Sequence, residues 1–198
     1  AAHEDGKADY SSEVGTLASA GGDAVAVIGY LDQGGKGIIQ GSLDSGAFDT
    51  FILSDGMIGD SLTDTFGKSL NKSFGSLPGS TGKGAGIFAK VAGKAGIDPS
   101  GPYTGESYDA AALIVLAMQA GGSADRGSIA KNVMAVANAP GKKIYPGQLK
   151  KALDLLAKGK AVDYEGATGV VFTDVGEHVG NFLEKEVKGG KFKTKKQR

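Results

Sequence analysis

Two short β-branched runs, AVAVI at 24–28 and TFIL at 50–53, constrain this chain more than any other feature. Each follows an amphipathic, helix-length stretch, and each breaks into a Gly/Ser/Asp turn. Strands separated by a helix cannot close as hairpins, so the order implies right-handed crossovers and a parallel sheet. The first helix is expected from Tyr10 to Ala20: Val14 and Leu17 sit three apart, Tyr10 lies one turn earlier, and Asp9 is placed to cap it. Gly21-Gly22-Asp23 ends it. The unbroken apolar run 24–28 predicts a strand buried on both faces. A second helix, about 33–45, ends at Gly46. The fold class is α/β, with a parallel sheet.

Further along, residues 67–82 are rich in Gly, Ser and Lys, include Pro78, and read as a long loop. A helix is expected at 83–95. Asp98-Pro99-Ser100-Gly101-Pro102 disfavours helix and marks a lobe boundary or crossing. Helices follow at 107–120, 125–137 and 146–158, then a strand at 169–172 (GVVF). Residues 181–194 suggest a hairpin about Lys188-Gly189-Gly190-Lys191, and Lys193–Arg198 a solvated tail.

Several functions are disfavoured by composition. Lys+Arg and Asp+Glu both number 22, leaving no basic excess for nucleic acid. No apolar run approaches the roughly 18 residues of a spanning helix. Without cysteine there is no thiolate nucleophile or Cys-based zinc site. His3 and His178 are far apart and lack second ligands at helical spacing, so both read as solvated or capping residues and no metal is expected. Gly105-Glu106-Ser107-Tyr108-Asp109 imitates a nucleophile elbow but has Asp for the last Gly and no preceding strand, so Ser107 reads as a helix N-cap. Glu106 either lines a cleft or caps the same helix, the cap being favoured. Gly79-Ser80-Thr81-Gly82-Lys83-Gly84 imitates a phosphate loop but lacks the Gly spacing and the hydroxyl after Lys. Neither an enzyme nor a cofactor is indicated.

The informative positions are two strand ends, because parallel sheets bind ligands beyond their carboxyl-terminal edges. Gly29-Tyr30 follows the first strand and Asp55-Gly56 the second. If those strands are neighbours, a carboxylate and an aromatic ring overlook one crevice, a pair suited to a small cation or zwitterion. The competing reading makes Asp55 the N-cap of a helix at 57–66 and Tyr30 an amphipathic surface residue.

The order of motifs resembles the carboxyl-terminal part of the branched-chain amino-acid type of periplasmic binding protein, the solute receptor of an ABC importer. The resemblance rests on residues 8–14, 23–30 and 46–56, on Asp98-Pro99-Ser100-Gly101-Pro102-Tyr103, on Tyr108-Asp109-Ala110-Ala111, and on Gly166 to Gly176. It implies a type I clamshell of two α/β lobes joined by crossings, truncated on its N-terminal side. Residues 1–100 would form the second lobe, 101–173 the helical part of the first with the crossings, and 174–198 the return to the second with a basic tail. By resemblance Asp55, where branched-chain members carry Glu, accepts from the ligand ammonium, and Tyr30 is the aromatic contact; Gly29 and Gly56 flank them. The implied function is extracytoplasmic, periplasmic binding of an amino acid or related amine for a membrane permease. The same fold also serves as the ligand-binding module of sensor ectodomains, and an α/β enzyme is the remaining alternative. The start at Ala1 suggests a processed or trimmed product, and the missing half should leave apolar sheet exposed, to be covered by the rest of the receptor or by a second copy.

Overall fold

Alternation of helix and strand produces the expected parallel pairing at the start of the chain. The computed structural model describes residues 1–198, in two compact units: Ala1–Pro78 with Phe182–Arg198, and Gly79–Asn181. In the first unit, α1 (Ser11–Ala20) leads to β1 (Val25–Val27), α2 (Lys36–Ser45) to β2 (Phe51–Leu53), and α3 (Asp60–Phe66) to β3 (Phe74–Pro78). Strands β1, β2 and β3 are parallel neighbours, with Ala26 beside Ile52 and Ile52 beside Phe74. The carboxyl-terminal hairpin, β6 (Phe182–Lys188) and β7 (Lys191–Gln197), adds antiparallel to β3, giving the order β1-β2-β3-β6-β7.

The core of this unit lies on one side of the sheet. Val25, Val27, Phe51, Leu53 and Leu77 point into it, met by Tyr10 and Val14 of the first helical segment, Ile38 and Ile39 of α2, and Met57 and Leu62 around α3. The other face is open: Ile52 is 41% exposed, Phe74 45% and Phe182 50%. The expectation that 24–28 is buried on both faces is therefore corrected. Val25 and Val27 are buried, Ala26 is exposed, and Ile28 falls past the strand at 79% exposure, because the unit's helices pack their apolar residues against one face only.

Residues 67–82 also differ from expectation. They contain a short 3-10 turn, Gly67–Leu70, and then β3, which is the middle strand of the sheet. Its alternation (Gly75 and Leu77 inward, Phe74 and Ser76 outward) is masked in the sequence by Gly75, whose lack of a side chain is required: a Cβ there would run into the Leu53 carbonyl oxygen. The hairpin formed as expected, with Gly189 and Gly190 both at positive φ (65° and 75°) in the two-residue turn. The supposed solvated tail is its second strand, whose lysines charge a sheet edge and discourage further pairing.

The second unit contains α4 (Lys83–Lys94), α5 (Thr104–Gly121), α6 (Arg126–Ala137), β4 (Lys142–Ile144), α7 (Leu149–Leu156) and β5 (Val162–Tyr164), with β4 and β5 parallel. The four helices were legible in the sequence; β4 and β5 were not. No strand spans 169–172. Gly169 has φ 75° and Val170 N–H donates back to the Glu165 carbonyl, so the chain turns there, and only Phe172 makes an isolated bridge, to His178. Leu113, Leu116, Val136, Ile144, Val162 and Tyr164 fill the core. Beside it, the Asp109 carboxylate accepts from Tyr164 Oη (2.9 Å), Ala167 N (2.8 Å), Thr168 N (2.8 Å) and Thr168 Oγ1 (2.8 Å), joining α5 to the turn after β5. Burial, followed by the Asp109 charge, raises the Tyr164 pKa far above its ordinary value, so the phenol stays a donor.

Candidate functional site

Parallel pairing of β1 with β2 brings their following turns together. After β1, Gly29-Tyr30 leads into a π-helical turn, Leu31–Gly35, kinked at Gly34 (φ 112°) before α2. Gln33 N–H and Gly35 N–H both donate to the Tyr30 carbonyl, at 3.2 and 3.1 Å. After β2, Ser54 precedes a 3-10 turn, Asp55–Met57. Ser54 ties the two turns together: its N–H donates to Val27 O at 3.1 Å, and its hydroxyl lies 3.3 Å from both the Gly29 N–H, which donates to it, and the Gly29 carbonyl. Nothing in the sequence reading singled out Ser54. A lone hydroxyl residue between a strand and Asp-Gly carries no signal until the strands pair.

Glycine at 56 permits close contact. A Cβ there would stand 2.5 Å from the Gly29 carbonyl oxygen and 2.8 Å from Cδ1 of the Tyr30 ring. Tyr30 therefore lies against Gly56, one residue from Asp55, and is 59% exposed. The Asp55 carboxylate accepts from the Gly56 N–H at 2.8 Å, and Ile58 N–H closes the turn on the Asp55 carbonyl at 3.0 Å. Asp55 makes no side-chain cap on the helix that follows, which begins only at Asp60, so the capping alternative is set aside. All four positions, Gly29, Tyr30, Asp55 and Gly56, meet at one edge of the sheet. The nearby Asp32 carboxylate is committed to Lys36, at 2.8 Å.

The other sequence candidates separate from this place. Ser107 is not an N-cap: α5 starts at Thr104, after Tyr103 in a left-handed conformation (φ 59°), and Glu106 lies in the first helical turn, where a negative charge suits the helix dipole. Lys83 rests over the Tyr145 ring, 4.6 Å from its centroid. No group of three or more acidic or histidine side chains is arranged to hold a metal. His3 is not solvated but is packed edge-on to Tyr10, with ring centroids 5.9 Å apart.

The sheet order β1-β2-β3-β6-β7, with two turns tied together beyond β1 and β2, is shared with known folds. A leucine-binding protein from Thermotoga maritima superimposes with a TM-score of 0.69, at 19% identity, over 97% of this chain and 49% of that one. A type 1 periplasmic binding protein from Bordetella pertussis gives 0.64, at 19% identity, over 96% and 50%. The fold is that of the type I periplasmic binding proteins. A branched chain amino acid ABC transporter protein from Thermus thermophilus, with bound valine, gives 0.57 at 16% identity, over 98% of this chain and 50% of that one. In sequence, 73 residues are 38% identical to the chemotactic signal transduction system substrate-binding protein BasB of Halobacterium salinarum; they make up 37% of this chain and 18% of that protein. No family model matches the chain. The chain thus spans about half the length of the solved structures it matches. No helix is long and apolar enough to cross a membrane.

Proposed function

We propose that this chain is the ligand-gripping part of an extracytoplasmic solute-binding protein that takes up an amino acid or related small amine without covalent chemistry and delivers it to an ABC-type membrane permease. The observation that carries the reading is the contact of Tyr30 with Gly56 at the tips of two paired parallel strands, one residue along the chain from Asp55, whose carboxylate accepts from the Gly56 N–H. Asp55 accepts from the ligand ammonium, Tyr30 packs over its apolar part, and Gly29 and Gly56 let the two turns approach closely. The proteins of this fold named above, among them a leucine-binding protein and one with bound valine, support the ligand class. A chemotactic substrate-binding protein matches in sequence, so delivery to a signalling receptor is the second reading.

Within this proposal the expected boundaries at 100 and 173 give way to those of the compact units: Ala1–Pro78 with Phe182–Arg198 belong to the second lobe, and Gly79–Asn181 to the first lobe and its crossings. The open face around Ile52 and Phe74 is covered by a further stretch of receptor polypeptide or by a second copy of the chain. The test is calorimetric titration with L-leucine, L-valine and their amines. Asp55→Asn is expected to weaken binding about tenfold or more, in keeping with a charge-assisted bond of about 1.5–3 kcal/mol. Unchanged affinity would remove Asp55 from the site.

A further inference from the structure

Residues 1–9 form an arm that reaches the same sheet edge. The His3 ring sits on the turn that carries Tyr30: a Cβ at Gly29 would stand 3.3 Å from His3 Nε2, and one at Gly34 would stand 3.1 Å from Nδ1 and 2.6 Å from Tyr10 Oη. The two glycines bracket Tyr30 in sequence, so the imidazole and the Tyr10 phenol together press on both ends of its turn. The arm itself is well anchored. Tyr10 Oη accepts from Lys7 N (3.2 Å) and donates to the Glu4 carbonyl (3.1 Å), and Lys7 Nζ pairs with Glu13 on α1. His3 makes no hydrogen bond in that anchorage: its Nδ1 is buried without a hydrogen-bond partner, and its one charged neighbour, the Asp5 carboxylate, stands 4.0 Å away. A buried nitrogen left unpaired is a net cost to the arm, so what the ring supplies is its shape against Gly29 and Gly34.

We propose that His3 is a positioning residue of the ligand site, a plug between α1 and the Gly29–Gly35 turn that holds the turn, and with it Tyr30, in its binding conformation. This inference rests on the assignment of Tyr30 to the ligand site. On the opposite side the turn is held through Ser54, through Met57, which fills the space beside Gly35, and through Tyr30 and Leu31 against Gly56 and Gly59. Removing the ring therefore frees the turn toward the arm while β1 and β2 stay paired.

The experiment is amide hydrogen exchange, followed by mass spectrometry, on the full chain without ligand, for wild type, His3→Ala and His3→Phe. His3→Ala is expected to speed exchange across 29–35 about tenfold, local opening being the cheapest motion available to a turn with one support removed, and to leave 104–170 unaffected. His3→Phe, which keeps a ring and loses the unpaired nitrogen, is expected to restore wild-type exchange. In parallel, L-leucine affinity is expected to fall about fivefold in His3→Ala and to recover in His3→Phe. Unaltered exchange across 29–35 in His3→Ala, or equal loosening in both variants, overturns the proposal. If His3→Ala fails to fold, His3→Ser, which also removes the ring, takes its place with the same expectations. A wild-type chain that ignores L-leucine yet shows the exchange pattern upholds the plug and refutes the ligand assignment.

Discussion

Asp109 offers the sharpest quantitative test of how the second unit is held together. The side chain is 3% exposed, and its two oxygens accept from the Tyr164 hydroxyl, the Ala167 and Thr168 amides and the Thr168 hydroxyl. Gly166, at φ 58°, brings the turn so close that a Cβ there would collide with the carboxylate. Taken singly, bonds to a charged acceptor are worth about 1.5–3 kcal/mol each. Four such bonds cannot simply be summed, because the 165–169 turn relaxes and admits water once the carboxylate is gone. Leaving buried neutral donors unsatisfied costs about 1–3 kcal/mol each, so with part of them rewetted a loss of about 3–5 kcal/mol is expected for Asp109→Ala. Asp109→Asn keeps one acceptor oxygen but aims an amide at donors, so about 2–3 kcal/mol is expected. Tyr164→Phe removes one donor and leaves three bonds in place, at about 1 kcal/mol. Urea unfolding followed by far-ultraviolet circular dichroism measures all three. A loss below about 1 kcal/mol for Asp109→Ala would refute the view that this carboxylate organises the turn. The same cluster sets a pH limit. The Tyr164 pKa is raised in the folded chain by burial and by Asp109, so the unfolded state gives up its proton first. That contribution to stability is fully present below about pH 10 and is lost above it at about 1.4 kcal/mol per pH unit. Tyr164→Phe should abolish this part of the alkaline decline.

Three further predictions concern the open face and two glycines. Charging the open face with Ile52→Glu plus Phe74→Glu should leave folding intact and convert an associating chain to a monomer in light scattering. A wild-type chain that is already monodisperse and monomeric counts against a covered face. Gly75→Ala should cost about 2–4 kcal/mol because its methyl meets the Leu53 backbone. Gly86→Ala, in α4 with nothing within 4 Å of the added methyl, should stabilise by about 0.5–1 kcal/mol in thermal melts.

Local signals carried much of the architecture. The apolar runs at 24–28 and 50–53, the helix periodicities from Ser107 onward and the Gly189-Gly190 turn each report interactions between residues near in sequence, so element type and order could be read in advance. Gly29, Tyr30, Asp55 and Gly56 were legible for the same reason: each lies within two or three residues of a strand end, and strand ends of parallel sheets face one way. What the sequence could not tell was decided by distant partners. Gly75 looks like a loop residue until Leu53 lies against it, and Val162–Tyr164 is a strand only because Lys142–Ile144 supplies its hydrogen bonds. Which face of the AVAVI run is buried depends on where helices pack, which no alternation in that run could encode. His3 reads as a solvated histidine because its neighbours, Gly29 and Gly34, are marked by having no side chain. Residue chemistry along the chain determined the elements and the candidate binding pair. Pairing and packing between distant segments determined the middle strand, the open face and the plug, since those depend on surfaces that exist only once the chain has folded.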